Sequence, residues 1–364
     1  MSIFVKDTVH EIIYNDLIQV IESNLDWDRF KNKTILITGA NGFLPAYMVY
    51  GFLLLNDHKN LNIKVLGLVR NEEKARLKFG DLLQRPDFEF LVQDVKEPII
   101  TDQPIHFCIH AASQASPKYY KIDPVGTINA NVLGTNNLLH LAKEKNMDSF
   151  LFVSSGEVYG QVEEENVPTK ENQYGYTDIL DVRSCYGEAK RLSETMCVAW
   201  FQQFGVQAKT IRPFHTYGPG LEMNDGRVYA DFVSDIVHDR NIIMKSDGSA
   251  RRAFCYIADA TLGFFTVLLS GENGKAYNLG NSKAEYSILE LAEVLCTLFP
   301  NKMLKVIRDE TMPAGNYMKS PIARNCPDTT ALEALGWKSW TTVEQGFYNT
   351  IQFTNEITRD KVEI

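Results

Sequence analysis

A tyrosine and a lysine four residues apart, Tyr186 and Lys190 in "SCYGEAKRLSETM", are the pair in this chain best suited to chemistry. On a helix that spacing puts both side chains on one face, within reach of the same ligand. A nearby ammonium favours phenolate over phenol and brings a tyrosine pKa down towards working pH. Tyr186 is therefore a candidate base for an alcohol or sugar hydroxyl whose carbon gives up hydride. Upstream, "LFVSSGEVYG" (151–160) is an apolar run that ends in hydroxyls, a glycine and the carboxylate of Glu157. It reads as a buried strand emptying into a site. Glu157 has the chemistry of a base at a carbon beside a ketone, and equally of a ligand to sugar hydroxyls.

Hydride chemistry needs an acceptor, and the start of the chain offers a seat for one. "TILITGANGFLPAY" sets Gly39 and Gly42 directly after a strand and at the mouth of a helix. The first permits a tight turn, and the second lets backbone N–H groups approach a pyrophosphate at the helix N-terminus. The third position of this fingerprint is Pro45, whose missing N–H costs little in a first helical turn. The second strand ends in "LVRNEE", with Arg70 where an acidic residue would hold the adenosine ribose 2′-OH. Arg70 suits a 2′-phosphate, adenine stacking or plain solvation, so NAD and NADP both stay open.

These groups must be held by a frame, and the hydropathy pattern supplies one. Apolar runs at 34–38, 63–69, 88–95, 105–112 and 149–155 alternate with helical patterns at 43–56, 125–145 and 186–204. Near-continuous apolar strands alternating with helices predict a parallel sheet covered on both faces. The fold class expected is α/β, a Rossmann-like doubly wound parallel sheet with a smaller α/β substrate-binding lobe. The expected division is an N-terminal helical extension at 1–33, a dinucleotide-binding domain at 34–213 with a return segment near 254–280, a lobe at 214–253 and 281–350, and a tail at 351–364.

Composition narrows the class. A formal charge of −9 leaves no basic face for nucleic acid. No apolar run approaches the roughly 18 residues of a membrane span, and the acidic N-terminal stretch lacks a signal-peptide pattern, which makes cytoplasm the expectation. Six scattered cysteines without a CxxC pair predict free thiols, and seven histidines without ligand spacing predict no metal site.

Taken together, the motifs resemble the extended short-chain dehydrogenase/reductase family, in its nucleotide-sugar branch, over roughly residues 34–345. "HAASQASPKYY", "DVRSCYGEAKRLSETMC", "GPGLEMNDGRVYADFV" and "RRAFCYIADA" are most similar to the UDP-glucuronate decarboxylases of that branch. The resemblance implies a triad of Ser155, Tyr186 and Lys190. In it Ser155 bonds the reacting oxygen, and Lys190 also holds the nicotinamide ribose. It implies cofactor contacts from Asn41, Phe43, Leu44, Asp94, Val95, Ala111, Ala112, Ser113, Asn131, Ser154 and Pro213, in addition to the two glycines and Arg70. It places Ser116, Arg183, Arg227 and Val228 against the substrate, with Arg252 reaching a diphosphate or sugar carboxylate. Two helices at 125–145 and 186–204, apolar on more than one face, imply a homodimer.

Three positions depart from that family: Pro45, His215 in place of a diphosphate-binding asparagine, and Gly156 in place of a serine in the decarboxylases and of an acid in the 4,6-dehydratases. The branch begins its reactions by C4 oxidation, and the resulting ketone decides the outcome. A C6 carboxylate is then β to the ketone and leaves as CO2 with little further help, whereas elimination of a C6 hydroxyl needs both a base and an acid. Gly156 offers no acid. The expectation is thus a nucleotide-diphosphate-sugar enzyme with bound NAD, acting as a decarboxylase. A 4-epimerase or 4,6-dehydratase, an NADP-dependent reductase and a non-catalytic dinucleotide-binding protein are the alternatives.

Overall fold

The computed structural model of the chain describes residues 3–244, 246–308 and 322–360. Residues 309–321 of the expected lobe and 361–364 of the expected tail lie outside them.

Seven parallel strands make the main sheet: β1 (Thr34–Thr38), β2 (Lys64–Val69), β3 (Phe88–Val92), β4 (Phe107–His110), β5 (Ser149–Val153), β6 (Ala208–Pro213) and, later in the chain, β10 (Ala276–Leu279). Their order is β10-β6-β5-β4-β1-β2-β3. Leu36 of β1 lies opposite Leu66 of β2 on one side and Cys108 of β4 on the other. The strand order reverses between β1 and β4, and at such a switch point a crevice opens beyond the carboxyl ends of the strands. β1 and β5 are buried along their whole length, because helices cover both faces; that is why the strands read as unbroken apolar runs.

Side chains alternate between the two faces. Ile35 and Ile37 join a core with α1 (Glu11–Ile21), α2 (Phe43–Lys59) and α8 (Ile257–Ser270), whereas Leu36 joins α5 (Pro124–Glu144) and α6 (Cys185–Phe204). Local sequence sets the helix ends. The Asp123 carboxylate caps α5 by accepting from Gly126 N, and Pro124 fills the first turn where its missing N–H costs nothing. Gly205, at φ +72°, closes α6. The sequence-predicted N-terminal helix is α1, and it packs on α2 and α8.

Three expected strands are shorter than their apolar patterns. Residues 93–95, 111–112 and 154–155 leave the sheet as loops, all at its carboxyl edge. In β5 the ladder closes with Ser154 N donating to Ile211 O, after which Ser155 opens a 3-10 turn. Hydrogen-bonded neighbours, not hydrophobicity, decide where a strand stops.

A second layer lies over that edge. β7 (His215–Tyr217), β9 (Arg251–Tyr256), β11 (Glu285–Ser287) and β13 (Arg324–Asn325) form a small sheet around β9, and β8 (Ile242–Met244) pairs with β12 (Val306–Arg308). α7 (Val228–Val237), α9 (Ile288–Leu298) and α11 (Val343–Asp360) pack against it. The Tyr217 and Phe347 rings stack at 3.8 Å and bind α11 to the layer. Short helices α3 (Glu72–Phe79), α4 (Lys118–Ile122) and α10 (Thr330–Glu333) complete the set used below. All six cysteines are free. Among the described residues no helix is long and apolar enough to cross a membrane.

Candidate active site

The two layers enclose a cavity of about 1750 Å³ over the carboxyl edge of the main sheet. Its floor begins at the β1–α2 turn. Gly39 has φ +65°, and a Cβ there would stand 2.9 Å from the Ala112 Cα, so the turn and the close strand approach both require glycine. Gly42 caps α2, and Asn41, Phe43 and Leu44 line the cavity beside it. Thr38 ties this turn to the end of β4: its Oγ1 accepts from Ala111 N and Ala112 N and bonds His110 Nδ1 at 2.9 Å. Burial and the Lys190 charge hold His110 down to about 3, so its ring stays neutral. Ser113 Oγ is buried on the cavity wall without a partner among the described residues. Helix N-terminal N–H groups, a side-chain-free turn and an open hydroxyl are what a dinucleotide diphosphate and ribose need, so these residues fit the cofactor expected from the sequence.

Arg70, Asp94, Val95, Ser154 and Pro213 line the same cavity. Asn131 does not. It is buried within α5, where its Nδ2 donates to Thr127 O at 2.7 Å and its Oδ1 has no partner among the described residues. Its helical position turns the side chain along α5, which spacing in the sequence does not disclose.

The catalytic candidates meet where β5 ends. Ser155 caps the short turn at Gly156–Tyr159, its Oγ accepting from Glu157 N. Tyr186 is buried in the first turn of α6, and its ring stacks on Tyr120 of α4 at 5.2 Å and 14°. Burial pushes its hydroxyl up to about 12, against a hydrogen bond with Ser155 and the charge of Arg227, which pull it down. Lys190 lies one turn further along α6. Its Nζ donates to Val153 O at 2.6 Å, 5.7 Å from the centre of the Tyr186 ring. Lys190 thus stands beside the Tyr186 phenol, which burial holds up and which Ser155 and Arg227 pull partly back. Burial lowers Lys190 itself to about 7, with Glu194 acting to keep it charged.

A buried ion pair backs this corner, and the sequence did not disclose it. Glu194, one turn beyond Lys190, accepts from Ser154 Oγ and forms two bonds with Arg212 of β6, at 2.9 and 2.6 Å. Arg212 also donates to the hydroxyls of Tyr159 and Tyr174. Every charge in the network has a partner, as burial demands.

The upper wall carries cations. Arg183 lies 3.4 Å from the Glu157 carboxylate. Arg227 pairs with Asp225 at 3.2 Å and donates to Tyr229 OH, beside Val228. Ser116 donates to Asp225 O, which joins the lower layer to this loop. Arg252 is buried, and its guanidinium donates to the carbonyls of Arg251, Ile322 and Ala323, so it shapes the wall while facing the cavity. His215 is held well below its usual pKa by burial and by Arg252 and Arg227; its buried Nε2 lacks a partner among the described residues. Gly156 does not open onto free space: a Cβ there would come within 3.2 Å of the Phe214 ring.

Residues 35–280 match the NAD dependent epimerase/dehydratase family. UDP-glucuronic acid decarboxylase 5 of Arabidopsis thaliana is 33% identical over 316 residues, 86% of this chain and 87% of that protein. UDP-glucuronic acid decarboxylase 1 of Danio rerio is 32% identical over 321 residues, 88% of this chain and 72% of that one. In structure the chain is similar to UDP-glucuronic acid 4-epimerase from Bacillus cereus, solved with UDP-glucuronic acid and NAD, with a TM-score of 0.72 and 21% identity over 89% of this chain and 99% of the other.

Proposed function

The chain belongs to the NAD-dependent epimerase/dehydratase family, and on that premise we propose that it decarboxylates a UDP-linked glucuronic acid after oxidising C4 of the sugar. It is an enzyme of nucleotide sugars with NAD as its cofactor. When bound, NAD supplies the acceptor for the hydrogen on C4.

The chain's own residues do the rest. Tyr186 takes the proton of the C4 hydroxyl, and Ser155 orients that oxygen by bonding the same phenol. With its hydroxyl pushed up to about 12, Tyr186 is protonated at neutral pH, so positive charge near the phenol, that of Arg227 included, raises the fraction of phenolate able to take the proton. Arg183, Arg227 and Arg252 surround the upper cavity and suit an anionic diphosphate and carboxylate, which planar guanidinium groups pair with two oxygens at a time. Once C4 is a ketone, a C6 carboxylate is β to it: the C5–C6 bond breaks, CO2 leaves, the electron pair passes into the C4–C5 enolate, and C5 then takes a proton.

Similarity to UDP-glucuronic acid decarboxylases along most of the chain carries this reading, and Gly156 sets it apart from dehydration. The residue between Ser155 and Glu157 has no side chain, and Phe214 fills the space a side chain would take. A dehydratase would need an acid to protonate the departing oxygen, and none stands there. The same gap is compatible with 4-epimerisation, which also needs no acid. Incubation of the purified protein with UDP-glucuronic acid, followed by mass spectrometry, separates the readings. Loss of the mass of CO2 is expected. An unchanged mass with altered sugar couplings by NMR means epimerisation, and loss of water from a neutral nucleotide sugar overturns both.

A homodimer accompanies this reading. Ile128 and Leu133 on α5, and Leu192 and Val198 on α6, are exposed on the two helices, and light scattering of a dimer mass is the expected result.

A further inference from the structure

The ribose end of the cofactor crevice is built for more charge than NAD carries. β2 stops at Val69, and Arg70 follows at the position from which a carboxylate would hold the adenosine 2′-OH. Asn71 then caps α3, its Oδ1 accepting from Lys74 N at 2.8 Å. From that cap Asn71, Lys74 and Lys78 recur at spacings of three and four, one stripe of the helix. All three, with Arg70, line the cavity.

Glu72 and Asp94, two carboxylates of this region, are engaged elsewhere. Glu72 pairs with Arg76 at 2.6 Å, and Asp94 lies 3.7 Å from Lys96. Asp123 feels the charge of Arg70, and Glu222 that of Lys78, but only at longer range. Among the described residues no carboxylate comes within 4.0 Å of the Arg70, Lys74 or Lys78 nitrogens. Cations aligned along a crevice wall without acidic partners attract an anion, and the planar fork of Arg pairs well with phosphate oxygens. A bare hydroxyl takes much less from such a wall, because it is a neutral acceptor.

We propose that Arg70, Asn71 and Lys74 form a 2′-phosphate subsite, so that this chain binds NADP as well as NAD. The subsite rests on the reading of the cavity as a dinucleotide site and extends it by one anionic group. It makes this chain a dual-cofactor protein in a family described by NAD alone.

Direct binding tests it without reference to turnover. The nucleotide released from the purified protein by denaturation is identified by chromatography and mass spectrometry and then removed. NAD+ and NADP+ are titrated separately into the stripped protein by calorimetry. The expected result is an NADP+ dissociation constant no more than roughly threefold above that of NAD+. In Arg70→Asp, and in Arg70→Ser as a milder change at an exposed position, the ratio of NADP+ to NAD+ affinity should fall at least about fivefold. NADP+ binding beyond that threefold margin in the wild type, or a smaller change of the ratio in both variants, overturns the subsite while leaving the NAD reading intact. Failure of both dinucleotides to bind overturns the site itself, and the subsite with it.

Discussion

Two buried carboxylates, on opposite faces of the main sheet, are kept in contrasting ways. Glu194 on α6 is bonded twice by the Arg212 guanidinium and once by Ser154. Asp16 on α1 is buried as deeply, yet among the described residues it accepts only from the hydroxyls of Tyr47 and Tyr256, at 3.2 and 2.7 Å. Desolvation therefore wins at Asp16 and pushes it up to about 7, with the nearby Asp259 adding to the rise. Burial alone does not tell whether an acid is charged. The partner does, and the two sites show what each arrangement is for: a charge-paired wall that holds the catalytic strand, and a nearly neutral clasp that seats the N-terminal helix.

The comparison breaks most visibly at the paired site. Glu194→Ala leaves Arg212 buried without its counter-ion, and a loss of about 3–5 kcal/mol in denaturant unfolding is expected. The double change Glu194→Leu with Arg212→Met should recover much of that loss, because both buried charges are then gone. Tyr186→Phe sharpens the contrast from the other side. It removes only a hydroxyl, so turnover should fall roughly 10²–10⁴-fold while the melting temperature scarcely moves.

At Asp16 the readout is pH. Its folded pKa, about 7, lies above the ordinary 3.8, so the folded state keeps a proton that the unfolded chain has lost. The stabilisation is complete below about pH 4, declines as pH rises and is gone above about pH 7. Asp16→Asn has no such proton. Relative to wild type its unfolding free energy should improve by about 2–3 kcal/mol between pH 5 and pH 7.5, from two units at about 1.4 kcal/mol each. A difference that stays flat across that window would mean that Asp16 is ionised in the folded protein. The smallest effect is expected at Gly156→Val, where crowding of the Phe214 ring should cost about 1–3 kcal/mol.

The proposed catalytic corner is local in sequence and so is open to inspection there. Gly39 and Gly42 follow one strand, and Tyr186 and Lys190 share one helix turn, so spacing alone places them. Asn131 shows the limit, because its position along α5 is visible in the sequence but the direction of its amide is not. The same spacing puts Lys190 beside Tyr186, but not the burial that pushes the phenol up, nor the Ser155 and Arg227 contacts that pull it down. Glu194 and Arg212 lie 18 residues apart in a helix and a strand, and no periodicity links them. Nothing in the spacing of Lys74 and Lys78 assigns them to the cavity, and the packing of α3 along the crevice brings them to it.

Hydropathy periods and turn-forming residues determined the alternating layers, the glycine turn after β1 and the pairing of a phenol with an amine. These depend on neighbours within one element, where covalent geometry already sets the distances. Tertiary structure alone decided which charges meet across elements, which carboxylate keeps its proton and which cations remain without a partner. Coulomb and desolvation energies depend on separation in space and on the exclusion of water, and folding sets both.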